Sequence, residues 1–286
     1  MGLYSDLSCH RTRRLVRNGI IAAVLILFAI ATLFPIYFMV ISSFGPPVEA
    51  GAATLSLWPS SFSLDSYQFF FNYSKHSVRW LLNSLLVCVV VTICNVVFAS
   101  MAGYAFAKVR FRGGKFTFYL LLSAMMIPYQ VTQVPLYVLM VNNFGLNNTY
   151  WALILPNVCS VYNIFLCKQF MGGIPTEIIE CAKLEGCNQA QIFLKIIVPL
   201  SKPVLALTAI NTFMDNWNTF FWPFLVTSKL EMQTIQVGLK NFSFANTTYF
   251  APMMAGATVA ALPMFILFFC LQKYFLEGVT VGAVKG

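Results

Sequence analysis

The sequence predicts an all-α polytopic membrane protein with six transmembrane helices and both termini in the cytoplasm. Three observations carry that expectation: the scarcity of charge, the length of the apolar blocks and the distribution of Lys and Arg. Of the 286 residues, 59% are hydrophobic and 9% charged, against roughly 25% charged in an ordinary soluble domain. So few charges cannot cover a water-exposed surface. The apolar residues also fall in blocks of about 20, the length that crosses a ~30 Å hydrocarbon layer.

The six blocks run from Gly19 to Ser43, Leu81 to Ala105, Phe116 to Met140, Tyr150 to Phe170, Pro203 to Val226 and Met253 to Phe275. The first has a basic start (Arg11, Arg13, Arg14, Arg17) and an A-x-A pattern at Ala50–Ala52, both found in secretory signals. Its apolar stretch of about 24 residues exceeds the 7–15 of a signal sequence. An uncleaved first helix is therefore expected. With the N-terminus inside, fourteen of the 18 Lys and Arg residues face the cytoplasm, and only Lys75, Arg79, Lys229 and Lys240 lie outside. Cytoplasmic loops carry that excess.

The organisation expected from this pattern has three parts. Residues 1–80 hold the N-terminus, the first helix and a long external loop with Pro46, Pro47 and Pro59. Residues 81–276 form the core, with five helices and a cytoplasmic loop at 167–202, and residues 277–286 form a cytoplasmic tail. The net charge of +9 does not indicate nucleic acid, because the basic residues are scattered between apolar blocks. Eight cysteines are present, none in a predicted external loop and none in a CxxC or zinc-like spacing. They read as small buried residues, without disulfides or metal.

The cytoplasmic loop is the most informative segment. In Ile174-Pro175-Thr176-Glu177-Ile178-Ile179-Glu180-Cys181-Ala182-Lys183-Leu184-Glu185-Gly186, Thr176 is the expected N-cap and Gly186 the expected C-cap. A helix of about two and a half turns is unstable alone in water. Asn188 and Gln191 are spaced as a capping pair for a second helix, which Pro199 is expected to stop. The small residues Cys181, Ala182 and Gly186 leave room for a partner surface. The competing reading is a solvated charged loop.

This loop resembles that of the binding-protein-dependent ABC import permeases, whose pattern is E-A-A, three residues, G, nine residues, I-x-L-P. Here Glu180-Cys181-Ala182, Gly186 and Ile196-Ile197-Val198-Pro199 stand at that spacing. The departures are Cys181 for Ala, Val198 for Leu and Glu185 where Asp usually precedes the glycine. The chain is further similar to the maltose-type (carbohydrate) permeases at Asn83-Ser84, Tyr104-Ala105-Phe106-Ala107, Arg110-Phe111-Arg112-Gly113, Met126-Ile127-Pro128, Asn148-Thr149-Tyr150-Trp151, Ser201-Lys202-Pro203, Trp217-Asn218 and Gly282–Gly286.

The resemblance implies a type I ABC importer permease fold in the plasma membrane of a bacterium. It implies a second homologous permease subunit, two ATPase subunits and an extracytoplasmic sugar-binding protein as partners. The coupling loop would be carried by Glu180, Cys181, Ala182, Glu185, Gly186, Ile196 and Pro199, with Glu180 meeting a basic residue of the ATPase. ATP and Mg would be held by the ATPase, and no cofactor by this chain. In agreement, the sequence lacks a G-x-x-x-x-G-K-[ST] phosphate loop, since Gly113-Gly114-Lys115 has neither the upstream glycine nor a following hydroxyl. No catalytic residues are expected, so the chain is read as a transport subunit and not an enzyme.

Asn211, Asp215, Asn218 and Trp222 step by four, three and four, which puts them on one face of an unbroken fifth helix. A carboxylate in mid-membrane costs roughly 2.5–3.5 kcal/mol, so Asp215 should face water or a partner. With Gln130 on the third span and Asn157 on the fourth, these residues form the candidate substrate pathway. Cys88, Thr92 and Asn95 on the second span, Gln133 on the third, and Ser160 and Asn163 on the fourth add further polar positions. Helix–helix hydrogen bonding is the alternative role for all such residues. In the family an acid usually follows Trp-Asn; here Thr219 stands there. A non-sugar solute such as a polyamine or phosphate ester is the alternative substrate class. A secondary carrier would want ion-coupling acids and internal repeats; the sequence shows one such acid and no repeat.

Overall fold

The computed structural model describes residues 2–47, 57–58, 61–73, 75–243 and 249–283, with the main chain alone for 2–15, 73 and 271–283. The A-x-A pattern, Pro59 and the end of the Gly282–Gly286 tail lie outside these. The described chain is helical and divides into two compact units, residues 1–70 with 242–259 and residues 71–241 with 260–286.

Four helices are long and apolar enough to cross a membrane: Val16–Ser42, Ser77–Lys108, Tyr150–Gly172 and Phe250–Cys270. Two sharply bent pairs, Gly114–Ala124 with Tyr129–Asn143 and Gln189–Leu200 with Lys202–Asn218, raise the number to six if each counts as one span. The protein is thus a multi-pass membrane protein with four to six apolar spans.

The first unit contains α1 (Gly2–Ser42), most of α2 (Asp65–Tyr73) and the start of a C-terminal helix, Phe250–Ala283. Aromatic pairs and hydrogen bonds join its segments. Phe44 lies against Tyr67 with ring centroids 5.6 Å apart, and Phe70 against Phe242 at 5.5 Å. Ser66 Oγ donates to the carbonyl of Gly45 at 2.6 Å.

The second unit is built on α3 (Ser77–Lys108), a 32-residue helix with no internal proline and apolar residues on all sides. It packs along α7 (Val161–Gly172) and α11 (Lys202–Asn218). Gly103 allows the first contact, because a Cβ there would stand 2.5 Å from the Cβ of Cys167.

Three of the expected spans are interrupted, two of them next to a proline. The expected third span, Phe116–Met140, is bent by 92° between α4 (Gly114–Ala124) and α5 (Tyr129–Tyr137). Pro128 lacks an N–H and its ring excludes the preceding residue from helical geometry. In the fourth, α6 (Tyr150–Ile154) passes through a 3₁₀ turn at Leu155–Asn157 containing Pro156 before α7 begins. The expected fifth span, Pro203–Val226, is also corrected: α11 ends at Asn218, Thr219 is extended, and a separate short helix, Phe221–Val226, follows.

Candidate functional site

Two regions of the second unit combine exposed functional groups with a rigid support. The first is the elbow formed by residues 174–201. Its leading helix, α8 (Thr176–Leu184), starts one residue earlier than expected. Thr176 is its first residue, and the cap position is Pro175, whose side chain makes no capping bond. At the other end Gly186 has φ +84°. The Cys187 N–H donates to the Ala182 carbonyl at 3.0 Å and the Gly186 N–H to Lys183 at 3.0 Å. This is a Schellman closure, in which a left-handed glycine satisfies the last carbonyls.

The second arm begins at α9 (Gln189–Ile192) with the expected reciprocal capping box between Asn188 and Gln191. Pro199 does not stop it. The chain widens into a π-turn at Phe193–Ile197, where the Val198 N–H reaches the Phe193 carbonyl, and carries Pro199 within a further helical turn, Val198–Leu200. The direction changes by 78° only past Leu200.

Burial divides the elbow residues. Glu180, Cys181, Glu185, Gly186 and Pro199 are exposed, and Ile196 is half-buried. Ala182 does not face outward as the sequence suggested. It lies in the chain's own core with Ile179, Ile192 and Ile197. That core continues through Cys167 and Met171 of α7 to Ala99 and Tyr104 of α3. Tyr104 OH and Gln189 Oε1 are 2.8 Å apart, and Lys108 Nζ donates to the carbonyls of Gly172 and Ile174. The elbow is therefore fastened to the membrane helices by apolar packing and by the end of α3. One residue was missed: Leu184, between the exposed acids, is 89% exposed. Its signal in the sequence is a lone large apolar residue between the charged Lys183 and Glu185.

The second region is a cavity of about 620 Å³, within the usual range of small-molecule sites. It lies where the broken fourth span meets the end of α11. Asp215, Asn218 and Asn157 line it, as do Asn163, Ser160, Asn216 and Thr219. Of the six expected pathway residues the structure thus brings together three. Asn211 is half-buried on α11 and Gln130 is exposed on α5, both off the cavity wall, which α5 supplies through Tyr129 instead. Trp222 is not on the α11 face. The break at Thr219 resets the helix, and the indole is buried with its Nε1–H donating to the Ala152 carbonyl at 2.9 Å.

Part of the polar wall is framework. Asn95, 1% exposed, donates to the Asn157 carbonyl at 2.6 Å and accepts from the Ser160 N–H at 2.8 Å and Asn163 Nδ2 at 3.2 Å. Asn163 Nδ2 also donates to Thr212 Oγ1 at 2.8 Å. One amide therefore satisfies the backbone groups freed by the break near Pro156 and ties three helices together. Sequence reasoning noted Asn95, Ser160 and Asn163 as polar positions; their proximity to a helix-breaking proline is the signal that marks them as a junction.

A third junction lies at the other end of α3. Asn83 Nδ2 donates to the carbonyls of Glu231 and Gln233 at 2.9 Å each, and the Tyr150 hydroxyl donates to Asn83 Oδ1 at 2.6 Å. Asn148, at φ 58°, accepts from the Ser228 and Lys229 N–H groups at 2.8 Å.

Residues 95–281 match the binding-protein-dependent transport system inner membrane component family. The chain belongs to this family of membrane permeases. An arabinooligosaccharides transport system permease protein of Halalkalibacterium halodurans is 35% identical over 260 residues, covering 90% of this chain and 93% of that protein. A lactose transport system permease protein of Rhizobium radiobacter is 30% identical, covering 96% of this chain and 98% of its own. The fold is that of a bacterial ABC transporter involved in the import of the acidic polysaccharide alginate, with a TM-score of 0.78 at 24% identity over 93% of this chain and 98% of that one.

In the permease, elbow and cavity share their helices. α7 contributes Asn163 to the cavity and Cys167 and Met171 to the core beneath the elbow. α11 contributes Val204 to that core and Asp215 to the cavity. The elbow core and the cavity wall are thus built on the same two packed helices.

Proposed function

We propose that this permease is a translocating subunit of an ATP-driven carbohydrate importer of the maltose type in a bacterial plasma membrane. Six spans with both ends in the cytoplasm are proposed, each bent helix pair crossing once. The elbow docks on a partner ATPase through Glu180, Cys181, Leu184 and Glu185, with Gly186 shaping the turn. Two ATPase subunits bind ATP and Mg, a second permease completes the pathway, and a sugar-binding protein delivers the solute from outside. Residues 1–80 hold the cytoplasmic N-terminus, first helix and external loop, 81–276 the transport core, and 277–286 the cytoplasmic tail. The cavity bordered by Asp215, Asn218 and Asn157 lies on the pathway.

The observation that carries this reading is the near full-length similarity to permeases named for arabinooligosaccharides and lactose. The cavity chemistry supports it, because amides and a tyrosine ring suit a ligand with many hydroxyls and apolar C–H faces. The test is uptake of labelled oligosaccharides by bacteria in which this chain is disrupted and then restored. Loss and recovery of uptake of a neutral oligosaccharide is expected. Loss of polyamine or phosphate-ester uptake with unchanged sugar uptake would overturn the carbohydrate assignment.

A further inference from the structure

The cavity has an electrostatic character that none of the similarities assigns. Asp215 is the sole Asp or Glu within the apolar spans, and no Lys, Arg or His lines the cavity with it. Among the described residues, its carboxylate has no hydrogen-bond or ion-pair partner; the neighbouring Thr219 hydroxyl donates instead to the Asp215 main-chain carbonyl, at 2.6 Å. A second unpaired acceptor is buried in a residue of the cavity wall. Asn163 is 3% exposed, and its Oδ1 has no hydrogen-bond partner among the described residues. The amide cannot be turned round to relieve this. Asn95 Nδ2 is committed to the Asn157 carbonyl, so Asn95 Oδ1 must accept, and only Asn163 Nδ2 can donate to it. A buried acceptor without a donor costs about 1–3 kcal/mol, which the packing around Asn163 offsets.

We propose that Asp215 makes this cavity a charge filter, which accepts neutral or amine-bearing saccharides as hydrogen-bond donors and rejects those carrying carboxylates. The proposal rests on the carbohydrate reading for the ligand class, but not for the field. A uronate brought into the cavity meets a like charge that no Lys, Arg or His of the cavity lining offsets. A neutral sugar donates a hydroxyl to the carboxylate. An amino sugar adds an ion pair.

Cys159 lines the same cavity and is exposed, so it reports the field directly. The experiment uses the complete transporter in nanodiscs, with the other seven of the eight native cysteines replaced. The modification rates of Cys159 by a cationic and an anionic methanethiosulfonate reagent are compared, and their ratio is taken before and after Asp215→Asn. We expect the cation-to-anion rate ratio to fall about fivefold or more, the order expected from one unscreened charge nearby. In cells, Asp215→Asn should raise uptake of a glucuronate-bearing oligosaccharide relative to its neutral counterpart at least severalfold, after correction for the affinities of the binding protein. An unchanged thiol rate ratio in Asp215→Asn overturns the filter whatever is transported. A changed ratio with no sugar uptake by the unaltered transporter leaves the field intact and refutes the carbohydrate reading instead.

Discussion

Lys108 Nζ donates to the carbonyl oxygen of Ile174 at 2.5 Å and to that of Gly172 at 3.2 Å. The cation at the end of α3 thereby holds the two carbonyls that precede the elbow, where α7 has run out of intrahelical donors. Replacing the ammonium by a methyl thioether keeps the stem but frees both carbonyls. Lys108→Met is expected to speed amide hydrogen exchange across residues 174–187 while leaving α3 protected. Equal exchange in both proteins would show that apolar packing alone positions the elbow.

The Schellman turn makes Gly186 a sensitive position for a reason other than crowding. A Cβ there meets nothing within 4 Å, but φ is +84°. A β-branched residue in left-handed geometry costs about 1–2 kcal/mol. Gly186→Val should therefore unwind the end of α8, and Glu180→Arg should reverse an exposed charge without disturbing it. Both are expected to leave insertion intact and to reduce ATPase co-purification about tenfold or more. Lys195→Ala on the second arm serves as control. Full ATPase retention by both variants would rule out the elbow as the docking element.

The topology can be checked at two exposed positions. On a background without native cysteines, Asn147→Cys should react with an impermeant thiol reagent added outside, and Lys183→Cys should react only after the membrane is opened. The reverse pattern would turn the protein over.

Asn95 joins α3 to the break in the fourth span and to α7. Asn95→Leu fills similar space but strands the Ser160 N–H and one of the two Asn163 amide hydrogens, at about 1–3 kcal/mol for each buried group left unpaired. We expect the thermal midpoint of the detergent-solubilised permease to drop by several degrees. Thr92→Val is the comparison. The Thr92 hydroxyl is buried and already without a partner, so its removal should be neutral or stabilising. A midpoint unchanged by Asn95→Leu would mean that the junction is held by packing alone.

Much of the architecture is legible in the residue order. The spans appear as apolar blocks because a bilayer imposes one length on every crossing. The Asn188–Gln191 box and the Gly186 turn are read from local chemistry, since each involves residues only a few positions apart. The breaks in the third and fifth spans were not anticipated. Hydropathy is blind to a bend inside an apolar block, although Pro128 marked the first. The misassigned Trp222 follows from that: the spacing four, three, four defines a face only while the helix is continuous, and Thr219 interrupts it.

By itself the sequence determined the class of protein, the permease family motif and the elbow between two short helices. These depend on composition and on spacings along the chain. Tertiary structure alone decided that Ala182 faces inward while Leu184 faces out, because burial depends on which helices arrive from elsewhere in the chain. It likewise decided which amides are framework and which are free. Asn95 and Asn163 are chemically identical side chains. One is satisfied across three segments, and the other keeps a buried oxygen unpaired, because hydrogen bonds between residues more than sixty positions apart exist only once the helices have packed.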